Sequence, residues 1–191
     1  HVSQEHQVVT QANHALREEM TRRERLQKEI QWLARHDELT RLPNRHYFLE
    51  QVKACRERMP LSIMIVDVDF FKSINDTYGH AVGDRVLAGL GRQITDLLRQ
   101  EDFAARYGGE EFVVLASHTD GAGAHLLAER IRESIAAIRN VRGRSVDVTV
   151  SLGIANLKSA EDQTSLFERA DRALYRAKQD GRNQTCVAEI N

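Results

Sequence analysis

No apolar run in this sequence is long enough to cross a bilayer. The longest, Leu61 to Val66, contains Ser62 and falls far short of the roughly 18 residues a spanning helix needs. No signal-peptide pattern precedes the first helical stretch, so the expected location is the cytoplasm, with no direct membrane contact. Cysteine is scarce. Cys55 and Cys186 are far apart and lack metal-ligand spacing, which excludes a disulfide scaffold and makes both packing residues of a reducing compartment. A strong charge of either sign is missing as well: 27 basic residues against 28 acidic ones leave a net charge of -1. That balance speaks against a coat for nucleic acid or for an anionic membrane, so any anion must be bound locally. Repeats and low-complexity segments are absent.

What is present suits a full hydrophobic core: 191 residues, 41% hydrophobic and 29% charged, enough for one domain and an appendage. The appendage is residues 1–35. It has neither proline nor glycine, and Val9, Ala12, Leu16, Leu26, Ile30 and Leu33 repeat at three-four spacing, predicting a helix with one apolar seam. Glu19 and Arg23 fall on that seam and interrupt it. The pattern fits a marginal coiled coil that pairs within a dimer, or else an amphipathic helix folded on its own domain. Because the sequence opens on His1 in the middle of this pattern, an upstream sensory part is expected.

The remainder, 36–191, centres on Arg106-Tyr107-Gly108-Gly109-Glu110-Glu111-Phe112. Two glycines permit a tight turn, β-forming residues flank it, and two adjacent carboxylates fall at the tip of the predicted hairpin. Adjacent like charges repel, and a cation bridging to phosphate is what most readily relieves them. Before the hairpin, Leu61 to Asp69 read as a buried strand, its continuous apolar run Ile63 to Val66 being that of a strand covered on both faces. Asp67 and Asp69 follow on one side of its carboxyl end, where open α/β sheets place ligands.

Around these elements the pattern predicts helices over about 44–59, 70–77, 84–98 and 123–138. It predicts a strand through Val146, Val148, Val150 and Leu152, a last helix opened by a Ser165/Glu168 capping box and stopped at Gly181, and a short strand over 184–187. The order implies an α/β fold with a mixed sheet. Taken singly, Asp84 reads as a helix cap, Lys178 and Arg182 as cations complementing a helix dipole, and Arg99 with Asp102 as a surface ion pair.

Four blocks agree in order and spacing with one family. They are Asp37-Glu38-Leu39-Thr40-Arg41-Leu42-Pro43-Asn44-Arg45; Asp67-Val68-Asp69-Phe70-Phe71-Lys72 with Asn75-Asp76 and Gly79-His80; the Gly-Gly-Glu-Glu-Phe hairpin; and Ala177-Lys178 with Gly181-Arg182-Asn183. Over about residues 36 to 187 the chain resembles the GGDEF-domain diguanylate cyclases, in their GGEEF form. Arg41 departs from the glycine common in the family, and Glu110 from the aspartate that names it.

The resemblance implies a five-stranded mixed sheet flanked by helices, like that of class III nucleotidyl cyclases and the polymerase palm. It implies an enzyme condensing two GTP into cyclic di-GMP with release of two pyrophosphates, working as a homodimer through catalytic domains and N-terminal helix. Two divalent ions, Mg2+ or Mn2+, are implied at Asp67, the Val68 carbonyl and Glu110, with Glu111 completing the metal shell or accepting the proton. Asn75 and Asp84 resemble a guanine-reading pair; Lys72, Lys178, Arg182 and the amides of Phe70 and Phe71 would hold phosphates. Arg99 and Asp102, with Arg130, resemble an inhibitory product site. The alternative is a non-catalytic receptor for cyclic di-GMP or GTP, against which the intact metal and triphosphate set argues.

Overall fold

The computed structural model describes residues 2–138, 140–141, 143–158 and 161–189, with the backbone alone at residues 2–5 and 8. The chain divides after His36 into two units. The first is one helix, α1 (Val2–Arg35), whose helical pattern nothing interrupts. Its seam residues are open: Val9, Leu16, Leu26, Ile30 and Leu33 are all exposed, as is Met20. No helix among the described residues is long and apolar enough to cross a membrane.

The second unit is a five-stranded sheet in the order β2-β3-β1-β6-β7, built from β1 (Ser62–Val68), β2 (Phe103–Arg106), β3 (Glu111–Ala116), β6 (Val150–Asn156) and β7 (Thr185–Val187). Only β6 and β7 run parallel; β1 lies antiparallel to both β3 and β6, at the centre. Every residue of β1 is buried, as its unbroken apolar run requires of a strand covered on both faces. Alternation along it divides the core. Met64, Val66 and Val68 pack with α4 (His80–Leu97) and α5 (Gly121–Ala136), while Ile63 and Ile65 pack with α2 (Arg45–Ala54) and α6 (Gln163–Gln179). The remaining helix, α3 (Phe71–Tyr78), follows β1 directly.

Glycine decides the packing at one point. A Cβ on Gly153 of β6 would lie 2.2 Å from the Ala170 carbonyl and 2.3 Å from the Leu174 nitrogen. The α6 backbone therefore lies directly against the sheet at that position.

Several predicted boundaries move. The last helix is capped by Asp162, whose side chain accepts from the Ser165 amide, so the Ser165/Glu168 capping box does not form. The half-buried Arg169–Glu161 ion pair, 2.6 Å long, anchors this earlier start. Helix α4 begins at His80, directly after Gly79 at φ 86, which places Asp84 one turn inside and not at a cap. Helix α2 ends at Ala54 and does not reach Met59. Val146 and Val148 are buried but precede the strand, which begins at Val150; their burial produced the alternating pattern without sheet pairing. A two-stranded ribbon, β4 (Asn140–Val141) with β5 (Arg144–Ser145), had no counterpart in the sequence reading. Asn44 caps α2, its side chain accepting from the Tyr47 amide at 3.0 Å.

Candidate active site at the end of the central strands

Asp67, the sixth residue of β1, stands directly opposite Glu111, the first residue of β3. Directly opposed residues of an antiparallel pair share a face, so both carboxylates lie on the α6 side of the sheet. From α6, Lys178 Nζ approaches Asp67 Oδ2 to 2.9 Å. Burial raises the Asp67 pKa, the Lys178 ammonium lowers it, and the negative charges of Glu110 and Glu111 push it up again; the net result lies above the usual carboxylate value. Two further acids therefore act on the buried Asp67, with one ammonium beside it.

The hairpin tip is held from several sides. Tyr107 and Gly108 amides donate to the Glu111 carbonyl at 2.8 and 3.3 Å, and the Val68 amide donates to the Glu110 carbonyl at 3.3 Å. Arg106 donates through Nε and Nη2 to the Gly109 carbonyl at 3.2 and 2.8 Å, and through Nη1 to both oxygens of Asp37 at 3.0 Å. Burial alone would raise the Asp37 pKa; hydrogen bonds from Thr40 and Arg106 outweigh it and hold the carboxyl below its ordinary range. One guanidinium thus ties the tip to the turn before α2. Neither Asp37 nor Arg106 stood out as a site residue in the sequence, because two residues so far apart give no local signal of an ion pair.

At the amino end of α3, Phe70 takes a left-handed conformation, φ 54, and offers no side-chain cap. The first amides of a helix lack internal acceptors and carry the positive end of its dipole, which suits an anion. Lys72 lies exposed on this first turn. Arg182 places its guanidinium over the Phe70 ring, 4.5 Å from the centroid. Arg182 is itself left-handed, φ 63, and the next amide, Asn183, donates to Asp69 Oδ2 at 3.0 Å. Asp67, Phe70, Phe71, Lys72, Lys178 and Arg182 therefore meet at one end of the sheet.

Asp69 belongs to the same stretch but not to the same chemistry. Its Oδ1 accepts from Ser151 Oγ at 2.7 Å, and its Oδ2 from Thr149 Oγ1 at 2.8 Å as well as from the Asn183 amide. Both oxygens are occupied, so the second of the two predicted platform acids is a structural anchor. Asn75 and Asp84 stand on α3 and α4, on either side of the break at Gly79, with Asn75 half-buried and Asp84 exposed.

The donor set fits a hard divalent ion: carboxylates of Asp67, Glu110 and Glu111 and the carbonyl of Val68 are all oxygen ligands. Among the described residues no three acidic, His or Cys side chains converge into a closed metal cage. An open set suits an ion that completes its shell with water and substrate phosphates.

The Arg99 and Asp102 pair lies elsewhere, beside a cavity of about 510 Å³ that Arg130, Leu126 and His118 also line. Asp102 does not form the expected ion pair with Arg99. Its Oδ2 accepts from the Arg99 backbone amide at 3.0 Å and its Oδ1 from the Ser117 amide at 3.2 Å, which fixes the carboxylate at the cavity wall.

Residues 34–184 match the family model described as "Diguanylate cyclase, GGDEF domain". The chain belongs to the GGDEF family. It is similar to Diguanylate cyclase A of Treponema denticola, 42% identical over 165 residues, and to Diguanylate cyclase DgcM of Escherichia coli K12, 40% identical over 175 residues. The alignments cover 81% and 89% of this chain but 44% and 42% of those proteins, so the chain spans less than half the length of either. Among solved structures, the coiled coil and GGDEF domain of DgcB from Caulobacter crescentus, in complex with c-di-GMP, superposes with TM-score 0.81 at 32% identity. It covers 91% of this chain and 97% of that one. The active GGEEF domain of a diguanylate cyclase from Vibrio cholerae superposes at TM-score 0.68 with 34% identity, covering 75% of this chain and 92% of that one. As a GGDEF domain, this chain carries its name-giving hairpin at 108–112, beside the buried Asp67.

Proposed function

We propose that this GGDEF domain is a diguanylate cyclase, condensing two GTP into cyclic di-GMP and two pyrophosphates. The observation that supports it most is the confluence of Asp67, Glu111 and Lys178 with the uncapped start of α3 and with Arg182. A receptor for the product has no need of acids and cations arranged for a triphosphate.

Asp67, Glu110, Glu111 and the Val68 carbonyl would hold two magnesium or manganese ions, which would neutralise the triphosphate and polarise the attacking 3′-hydroxyl. The chain's own groups bind and orient. Lys72, Lys178, Arg182 and the Phe70 and Phe71 amides take the β- and γ-phosphates, while Asn75 and Asp84 read the guanine edge. Glu111 completes the metal shell or takes the 3′-hydroxyl proton. Pyrophosphate leaves as each 3′-oxygen bonds to the partner nucleotide's α-phosphorus.

One domain carries one such pocket, yet the product needs two nucleotides in reciprocal attack, so two domains meet face to face. The open apolar seam of α1 supports pairing through a coiled coil. The cavity beside Arg99, Asp102 and Arg130 takes cyclic di-GMP as an inhibitor: Arg99 donates to phosphate or guanine acceptors, and Asp102 accepts from guanine N1 and N2.

Incubating the purified protein with GTP and magnesium tests the reading, with cyclic di-GMP and pyrophosphate as products; binding of GTP without turnover overturns it. Specific activity should fall on dilution, most steeply in a truncation starting at Arg35. Arg99→Ala should weaken product binding by about 1–3 kcal/mol, the range for a bidentate contact, leaving initial rates similar. Calorimetry with cyclic di-GMP reads this directly.

A further inference from the structure

We propose that Gly83 is a specificity-positioning residue: the space left by its missing Cβ seats the carboxamide of Asn75 beside Asp84. The inference rests on the reading of Asn75 and Asp84 as the pair that recognises guanine. A Cβ built on Gly83 would fall 1.9 Å from Asn75 Oδ1 and 3.0 Å from its Cγ, with Phe71 Cζ at 3.2 Å. No side chain but hydrogen fits there without moving the amide.

The chain brings the two residues together by folding back at Gly79. That glycine, at φ 86, ends α3 and starts α4, and its amide donates to the Asn75 carbonyl at 2.8 Å. The turn lays the first part of α4 against α3, so that the buried Gly83 faces Asn75. Asp84 is the next residue along the helix. The notch at Gly83 therefore fixes the distance and angle between an amide on one helix and a carboxylate on the next.

Two observations separate this from ordinary packing. Glycine inside a helix is disfavoured against alanine, and Gly89 of the same helix has open space where a Cβ would go, so α4 does not need glycine as such. And Asn75 Oδ1, seated in the notch, is buried without a hydrogen-bond partner. A buried acceptor left unpaired is costly, and the exocyclic amino group of guanine is a donor that a small swing of the amide would engage.

The test compares GTP with inosine triphosphate, which lacks that amino group, by following pyrophosphate release from the parent, Gly83→Ala, Asn75→Ala, the double variant and Gly89→Ala. Gly83→Ala and Asn75→Ala should each lower the preference in kcat/KM for GTP over inosine triphosphate about tenfold, mainly through KM. The double variant should fall no further, since both changes remove one contact. Gly89→Ala should match the parent. An unchanged preference in Gly83→Ala with a lowered one in Asn75→Ala overturns the proposal and leaves the guanine reading standing. An unchanged preference in Asn75→Ala removes the guanine reading and the proposal with it. If Gly83→Ala does not fold, the double variant, freed of the clash with the amide, should; its failure to fold would show that Gly83 serves backbone packing alone.

Discussion

Asp67 and Asp69 lie two residues apart on one face at the end of β1, yet their surroundings differ in every respect that matters to chemistry. Asp69 is saturated: two hydroxyls and one backbone amide occupy its oxygens, and they join β1, the approach to β6 and the segment after α6. Asp67 has a single close partner, the ammonium of Lys178, and two further acids that disfavour its charge. A carboxylate given fixed donors holds a fold together. One paired with a lysine ammonium and set among like-charged neighbours is suited to exchange that partner for a ligand.

The largest effect should come from Asp67→Asn. Losing one carboxylate of the set that would hold the divalent ions should cost about 10²–10³ in cyclic di-GMP formation. The melting temperature should stay unchanged or rise, because a buried charge with like neighbours is removed. Glu110→Ala should behave alike. A near-parent rate with magnesium in either variant would remove the distinction between the two acids.

Asp69→Asn should do the reverse. Its amide NH₂ must face at least one of the three donors, leaving buried polar groups unpaired at a cost of about 1–3 kcal/mol. In a domain of this size that lowers the melting temperature by roughly 2–4 °C per kcal/mol, readable by circular dichroism. GTP KM should rise as the Asn183 tether slackens and Arg182 loses its place. A variant as stable as the parent would show that these hydrogen bonds hold nothing.

The pH dependence should divide along a similar line. The raised pKa of Asp67 means that folding favours its protonated form. Its contribution to stability is present below the ordinary carboxylate value and is lost as pH rises through the raised one. Nucleotide with metal needs the ionised form, so binding should tighten as pH rises through that raised pKa, with release of a proton measurable by calorimetry in two buffers. Asp37, whose pKa is lowered, has the opposite sign. Its contribution is present above the ordinary value and is lost as pH falls through the lowered one, so Asp37→Asn should flatten the acid limb of the stability curve.

The smallest effect should follow Arg106→Lys. It keeps the charge but not the fork that holds Asp37 and the Gly109 carbonyl together. A loss of a few-fold in turnover with an unchanged KM is expected, because the hairpin tip carries Glu110. A change confined to KM would place the tip's role in binding.

How much of this could be read from the chain follows from the range of each interaction. The buried β1 was legible because an unbroken Ile-Met-Ile-Val run has few other destinations. The hairpin was legible because two glycines and flanking β-formers act locally. Asp162 and Ser165 offer equivalent caps three residues apart, and what chooses Asp162 is an ion pair between Glu161 and Arg169 that no local pattern encodes. Val146 and Val148 alternate like a strand because both are buried, though the sheet begins only at Val150. Within the site, the acids and cations were visible as residue types. The saturation of Asp69 was not, since its partners Thr149, Ser151 and Asn183 come from other strands and loops.

The link between Asp69 and the Asn183 amide also bears on when the site comes into being during synthesis. The ribosome delivers β1, the hairpin and the helices that carry Asn75 and Asp84 long before Lys178, Arg182 and the amide that follows it. A nascent chain can settle its central strands early, yet it has no complete cradle for a triphosphate until Asn183 has left the exit tunnel and β7 has paired with β6. On the function proposed above, turnover therefore waits for the last strand of the sheet, and chains truncated short of it should form no cyclic di-GMP however well their cores have formed.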